Sequence, residues 1–148
     1  MNKKQPKANI GQLLMRAFYW FDDGLQNNLR AQYADLAVTH SQSMIIIAIG
    51  EGIQRPSAIA ERLGVSRQAI HISLNALSQT GLIELIPDPE DRRAKIAVLS
   101  KHGEPIRQSA RNLFDEMEQE LANRIGKTNV AALRKVLEKD WKDPYTKS

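Results

Sequence analysis

The sequence predicts a mainly α-helical fold that carries one small β-hairpin, and three observations set that expectation. Apolar residues recur at helical spacing through most of the 148 residues. Two short β-prone runs, Leu82-Ile-Glu-Leu-Ile and Ala94-Lys-Ile-Ala-Val-Leu, bracket a turn rich in Pro, Asp and Arg. Residues that start and stop helices punctuate the chain at the intervals a multi-helix fold needs.

Taken in order, residues 1–7 are polar and basic and are expected to form a loose arm. A long helix is predicted from about Ala8 to about Tyr33, with Ile10, Leu13, Leu14, Ala17, Phe18, Phe21, Leu25 and Leu29 at helical spacing. Met15, Tyr19 and Trp20 widen its apolar stripe beyond one core face, so this helix is expected to touch two surfaces. Thr39 and Gln42 match a capping box. The apolar run through Met44-Ile-Ile-Ile-Ala-Ile therefore reads as a buried helix, stopped at Gly50-Glu-Gly52.

Pro56 suits the first turn of a short helix, where its missing N–H would have no partner anyway. Ile59, Ala60 and Leu63 give that helix an apolar side, and Gly64 supplies a left-handed stop. Ser66 caps the next helix, in which Ile70, Leu74 and Leu77 form the core side and Gly81 ends the run. Two short helices joined by Gly-Val-Ser make a helix-turn-helix, whose second helix fits a DNA major groove. The side opposite the core carries Gln68, Ile72, Asn75 and Gln79, with His71 beside them and Arg67 in the first turn. Gln and Asn can bond adenine edges in pairs, and Ile can touch a thymine methyl. No carboxylate occurs between Arg62 and Ile83, as a surface approaching phosphates requires. After the hairpin, Ser100 is expected to open a long helix with Ile106, Ala110, Leu113, Phe114, Met117 and Leu121 inward, ending at Gly126. Thr128 is expected to cap a last helix through Val130, Leu133, Leu137 and Trp141, stopped by Asp143-Pro144.

A hairpin directly after a helix-turn-helix is a wing, and here the motif becomes specific. Asp88-Pro-Glu-Asp-Arg-Arg-Ala-Lys, followed by Val98-Leu-Ser100 and Gly103, resembles the wing signature of the MarR family of bacterial transcription regulators. The likeness is tight over 56–103 and looser in the flanking helices. It implies a winged helix-turn-helix with N- and C-terminal dimerisation helices: 8–35 for the first, 36–100 for the DNA-binding region with its wing at 82–99, and 101–142 for the last. The expected partners are double-stranded DNA and a second copy of the chain. A two-fold dimer would set two recognition helices about one DNA turn apart, over a palindrome.

The candidate DNA-binding residues are Ser66, Arg67, Gln68, His71, Ile72 and Asn75 on the second helix, and Asp91, Arg92, Arg93 and Lys95 in the wing. A wing-tip arginine suits the narrow minor groove of A/T-rich DNA. In the resembled family the Asp-x-Arg pattern falls on Asp91 and Arg93, and Asp91 is implied to orient the wing through an ion pair. The family also implies release by a small aromatic effector, for which Tyr19, Trp20, Phe21 and Met44 are candidate lining residues; aromatics at helical spacing also serve as plain core.

Composition narrows the other classes. A net charge of +4 suits a polyanionic partner without demanding one. Cysteine is absent, which removes disulfides, thiol catalysis and the cysteine-based sensing of some relatives. His40, His71 and His102 have no metal-ligand spacing, so neither a metal nor a cofactor is expected. Gly126-Lys-Thr resembles the end of a phosphate loop, but Leu121 stands where that loop needs glycine. No catalytic constellation is visible, so an enzyme is not expected. No apolar run suits a membrane span or a signal peptide, and a soluble, cytoplasmic protein is the expectation. The alternative is a winged-helix protein-interaction module that does not bind DNA. Two features leave room for it: Arg55 stands where a capping residue is preferred, and three wing acids dilute the basic charge.

Overall fold

The computed structural model describes residues 7–36, 38–143 and 145–146. Six helices and one hairpin follow in the order α1 (Ile10–Gln32), α2 (His40–Gly50), α3 (Pro56–Leu63), α4 (Arg67–Gln79), β1 (Ile83–Pro87), β2 (Lys95–Leu99), α5 (Gly103–Ile125) and α6 (Lys127–Leu137). They form two compact units, the described residues up to Leu113 and those from Phe114 onward. The expected basic arm lies outside the described residues except for Lys7, which is exposed.

The first unit is built on one core. Ile45 and Ile49 of α2, Ile59 and Ala60 of α3, and Ile70, Leu74 and Leu77 of α4 meet Leu82, Ile83, Ala97 and Ile106. Each large aliphatic side chain removed from water there stabilises the fold by roughly 1.5–3 kcal/mol. The residues predicted to anchor the helix-turn-helix are thus buried, except Leu63, which is half-buried against the edge of this core. The antiparallel hairpin pairs Ile83 with Leu99, Leu85 with Ala97 and Pro87 with Lys95. A further backbone bond, from Ala97 N–H to the Gln54 carbonyl at 2.9 Å, ties β2 to the segment just before α3.

Helix starts follow local chemistry. Thr39 and Gln42 form the predicted reciprocal cap. A second capping box, between Asn9 and Gln12, sets the start of α1 at Ile10, two residues later than expected. Only Leu25 and Leu29 of α1 are fully buried. Ile10, Leu13, Met15, Phe18 and Tyr19, in its first half, are exposed.

Ser100 opens the helix after the wing as expected, its hydroxyl accepting Gly103 N–H at 2.9 Å and its carbonyl accepting Glu104 N–H at 3.0 Å, with α5 itself running from Gly103. The same hydroxyl donates to the Gly81 carbonyl, joining the end of α4 to the start of α5. Two expectations further along are corrected. Thr128 does not cap α6. That helix starts at Lys127, one residue after α5 is closed by Gly126, so the chain must turn at a single position. Gly126 does so with φ +95°, a conformation open to glycine and strained for other residues. Thr128 is left inside the first turn, and Asn129 Nδ2 bonds the Ile125 carbonyl at 2.7 Å. Finally, α6 ends at Leu137, so Trp141 lies beyond the helix, its indole N–H donating to the Val136 carbonyl. The predicted stop at Pro144 falls outside the described residues.

Candidate nucleic-acid interface

The turn between α3 and α4 determines which face of α4 is presented. Gly64 closes α3 in the left-handed region at φ +65°, and Ser66 reopens helical geometry by accepting from Ala69 N–H at 3.1 Å. The Ser66 oxygen is therefore occupied as an acceptor. Its own proton has no acceptor among the described residues and can be donated outward. The amide groups at a helix start that lack an intrahelical partner favour an anion.

With Ile70, Leu74 and Leu77 buried, Arg67, Gln68, His71, Ile72 and Asn75 are all exposed along the outer side of α4. Ile72 is 64% exposed, so burial in the core does not account for an isoleucine at that position. Six residues named from sequence, Ser66 included, are thus brought together on one helix.

The wing is ordered by its acids. Asp88 is only 3% exposed; one carboxylate oxygen accepts Glu90 N–H at 2.9 Å and the other accepts Arg55 Nε–H at 2.7 Å. Arg55 also donates from Nη2 to Glu90. The Arg55 bond, then the Glu90 amide, holds the Asp88 carboxyl below its ordinary range against the opposing effect of burial. Reciprocally, Asp88 and then Glu90 hold the Arg55 guanidinium in its charged form.

Asp91 behaves differently from the role the resemblance implied. Its carboxylate accepts Arg93 N–H at 3.0 Å, shaping the turn, while the ion pair that spans the wing belongs to Asp88 and Glu90. Arg55 was the residue sequence reasoning missed. Its place in the cap position of α3 was visible, and it makes no capping bond there. Its acidic partners lie 33 and 35 residues on, a separation no local pattern reveals. Arg92, Arg93 and Lys95 are exposed, and among the described residues neither they nor Arg67 takes part in an ion pair. With two of the three acids bound to Arg55, the wing presents more positive charge than its composition suggested.

The four candidate effector residues lie on α1 and α2. Trp20 and Phe21 pack edge to face with centroids 4.8 Å apart, and both are half-buried, as is Met44. Tyr19 is exposed and meets Phe18 at 5.7 Å. Phe18 also meets His40, whose Nδ1 lies 2.8 Å from Asp22. Among the described residues no group of three or more His, Cys, Asp or Glu is placed to hold a metal ion.

The comparisons agree with this geometry. A family model described as MarR family matches residues 36–94, which span α2, the helix-turn-helix and the wing turn. The chain is similar to wild-type MarR from E. coli in its apo form, at 24% identity and a TM-score of 0.70, covering 90% of this chain and 97% of that one. It is similar to the transcriptional repressor CouR, solved on a 23-mer DNA duplex, at 25% identity and a TM-score of 0.69, covering 87% and 89%. A third structure, RV1404 from Mycobacterium tuberculosis, has 18% identity and a TM-score of 0.68, covering 90% and 95%. Over residues 36–94 the chain matches the model of the MarR family, and its fold is that of the winged helix-turn-helix structures it resembles.

Proposed function

We propose that the chain acts as a homodimeric, sequence-specific repressor on palindromic double-stranded DNA. The observation that carries this reading is the outer side of α4: three polar side chains able to bond base edges, an exposed isoleucine, an arginine in the first turn, and no carboxylate among them. Gln68 and Asn75 read bases in the major groove, Ile72 meets a thymine methyl, and Arg67, His71 and Ser66 engage base edges or phosphate. The wing supplies Arg92, Arg93 and Lys95 to the flanking backbone or minor groove, with Asp91 holding the turn.

The dimer is supported by large apolar side chains left exposed on the terminal helices. On α1 these are Ile10, Leu13, Met15, Phe18 and Tyr19; around α6 they are Leu133, Val136, Leu137 and Trp141. Apolar exposure concentrated on such elements is what an association surface requires. A small aromatic effector that binds beside Trp20, Phe21, Met44 and Tyr19 would release the DNA by favouring a spacing of the two recognition helices unsuited to one DNA turn. No helix of the described residues is long and apolar enough to cross a membrane, and no membrane partner is proposed.

The reading is tested by titrating duplex binding against salt. Counterion release gives a log–log slope of about −0.9 per phosphate contact, so a steep negative slope is expected. A protein-interaction module without DNA binding gives no such slope. At the level of base readout, Gln68→Ala or Asn75→Ala is expected to relax preference at one base pair of each half-site, at a cost of about 1–3 kcal/mol. Comparing sites selected by mutant and wild type checks this, and identical preferences would remove these residues from the base-reading face.

A further inference from the structure

We propose that Arg55 is a positioning residue for DNA binding, clamping the wing to the start of the helix-turn-helix so that Arg92 and Arg93 reach the duplex together with α4. The inference rests on the DNA-binding reading above and deepens it. Arg55 itself lies on neither the outer side of α4 nor the wing tip. It reaches the wing through two donors that go to two different carboxylates, Nε–H to Asp88 and Nη2 to Glu90.

Three features make this a clamp rather than an ordinary surface ion pair. First, the Asp88 carboxylate is buried and already fixed by Glu90 N–H, so Arg55 pairs with an acid that cannot swing away. Second, the backbone on either side is anchored: Gln54 accepts from Ala97 of β2, and Arg55's own carbonyl accepts Ile59 N–H in the first turn of α3. A guanidinium held at its root by both the hairpin and α3 transmits the orientation of one to the other. Third, Asp88 N–H donates to the Ala94 carbonyl at 2.9 Å, closing the base of the loop that bears Arg92 and Arg93. The orientation of that base therefore sets where the two arginines point.

The same contact handles charge. Left alone, Asp88 and Glu90 would place two negative charges beside a loop meant for phosphates; paired with Arg55 they leave Arg92, Arg93 and Lys95 as the field the duplex meets. Lysine is a poor replacement, because a single ammonium lacks the planar fork that serves two acceptors at fixed angles.

The test uses the full chain and two readouts. Amide hydrogen exchange at Glu90, Arg93 and Ala94 reports order in the wing without DNA. Binding is measured on a duplex selected by the wild type from a randomised pool and on an unselected duplex of equal length. Arg55→Ala is expected to speed exchange at the wing amides. It is also expected to weaken binding about tenfold, the factor for a wing correctly posed one-tenth of the time. Arg55→Lys should fall between. Asp88→Asn retains an acceptor for Glu90 N–H but removes the charge; in that background Arg55→Ala should cost little more.

A full additional loss in the Asp88→Asn background would mean that Arg55 contacts DNA directly and would overturn the proposal, as would wing exchange unchanged by Arg55→Ala. If the wild type binds no duplex, the DNA reading fails and the positioning role fails with it. The exchange data would then still decide whether Arg55 orders the hairpin.

Discussion

Replacing Gly103 by alanine is expected to destabilise the winged unit by about 2 kcal/mol, even though alanine is the better helix former. A Cβ on Gly103 would sit 2.0 Å from the Leu82 carbonyl oxygen and 2.9 Å from its carbon, both of them backbone atoms. That oxygen is already the acceptor for Ser100 N–H, and Ser100 in turn bonds Gly81 and Gly103. The clash cannot be relieved by a side-chain rotation. Either α5 retreats from Leu82 or the junction of α4, the hairpin and α5 opens. Overpacking typically costs about 1–3 kcal/mol and a backbone clash this close lies at the upper end, while the gain of up to about 1 kcal/mol for alanine over glycine applies to a helix interior and is smaller at the first residue of α5. A urea titration should show a lower midpoint with an unchanged slope. A midpoint equal to or above that of the wild type would mean that α5 does not start against Leu82.

The double substitution Arg92→Ala, Arg93→Ala is expected to have the largest effect on binding. Neither side chain takes part in an ion pair among the described residues, and both are exposed, so folding should be unaffected. In a dimer, two wings carry four such arginines. If all four meet phosphate, the log–log salt slope should become less steep by about 3 to 4, and affinity at 0.1 M salt should fall at least about 100-fold. If one arginine per wing enters the minor groove, part of the loss should depend on whether the flank is A/T-rich. Fluorescence anisotropy across a salt series separates these outcomes. Equal binding by mutant and wild type at every salt concentration would remove the wing from the interface.

What could be read from sequence was what is written locally. Pro56, Gly64, Ser66 and the spacing of Ile70, Leu74 and Leu77 each act within one or two turns, and each took the expected place. The outer residues of α4 followed from that spacing alone. The failures share a different character. Thr128 is a good capping residue on composition, but the chain reverses at Gly126 and begins the helix one residue too early for it. Arg55 looked like a defective cap because its purpose lies across the fold, on Asp88 and Glu90. Asp91 and Asp88 are alike in a one-dimensional reading; burial of Asp88 separates them, and burial is a property of the assembled hairpin. Gly103 was noticed as part of a motif, and only the approach of Leu82 supplies its physical reason.

Function as proposed requires two α4 helices to read one duplex together. Selection of binding sites from a randomised duplex pool with the full chain tests that most directly. The enriched sequences should be two-fold symmetric, with half-site centres separated by about 10 base pairs, one turn of the helix. Recovery of an isolated, asymmetric half-site, or of no preferred sequence at all, would contradict it.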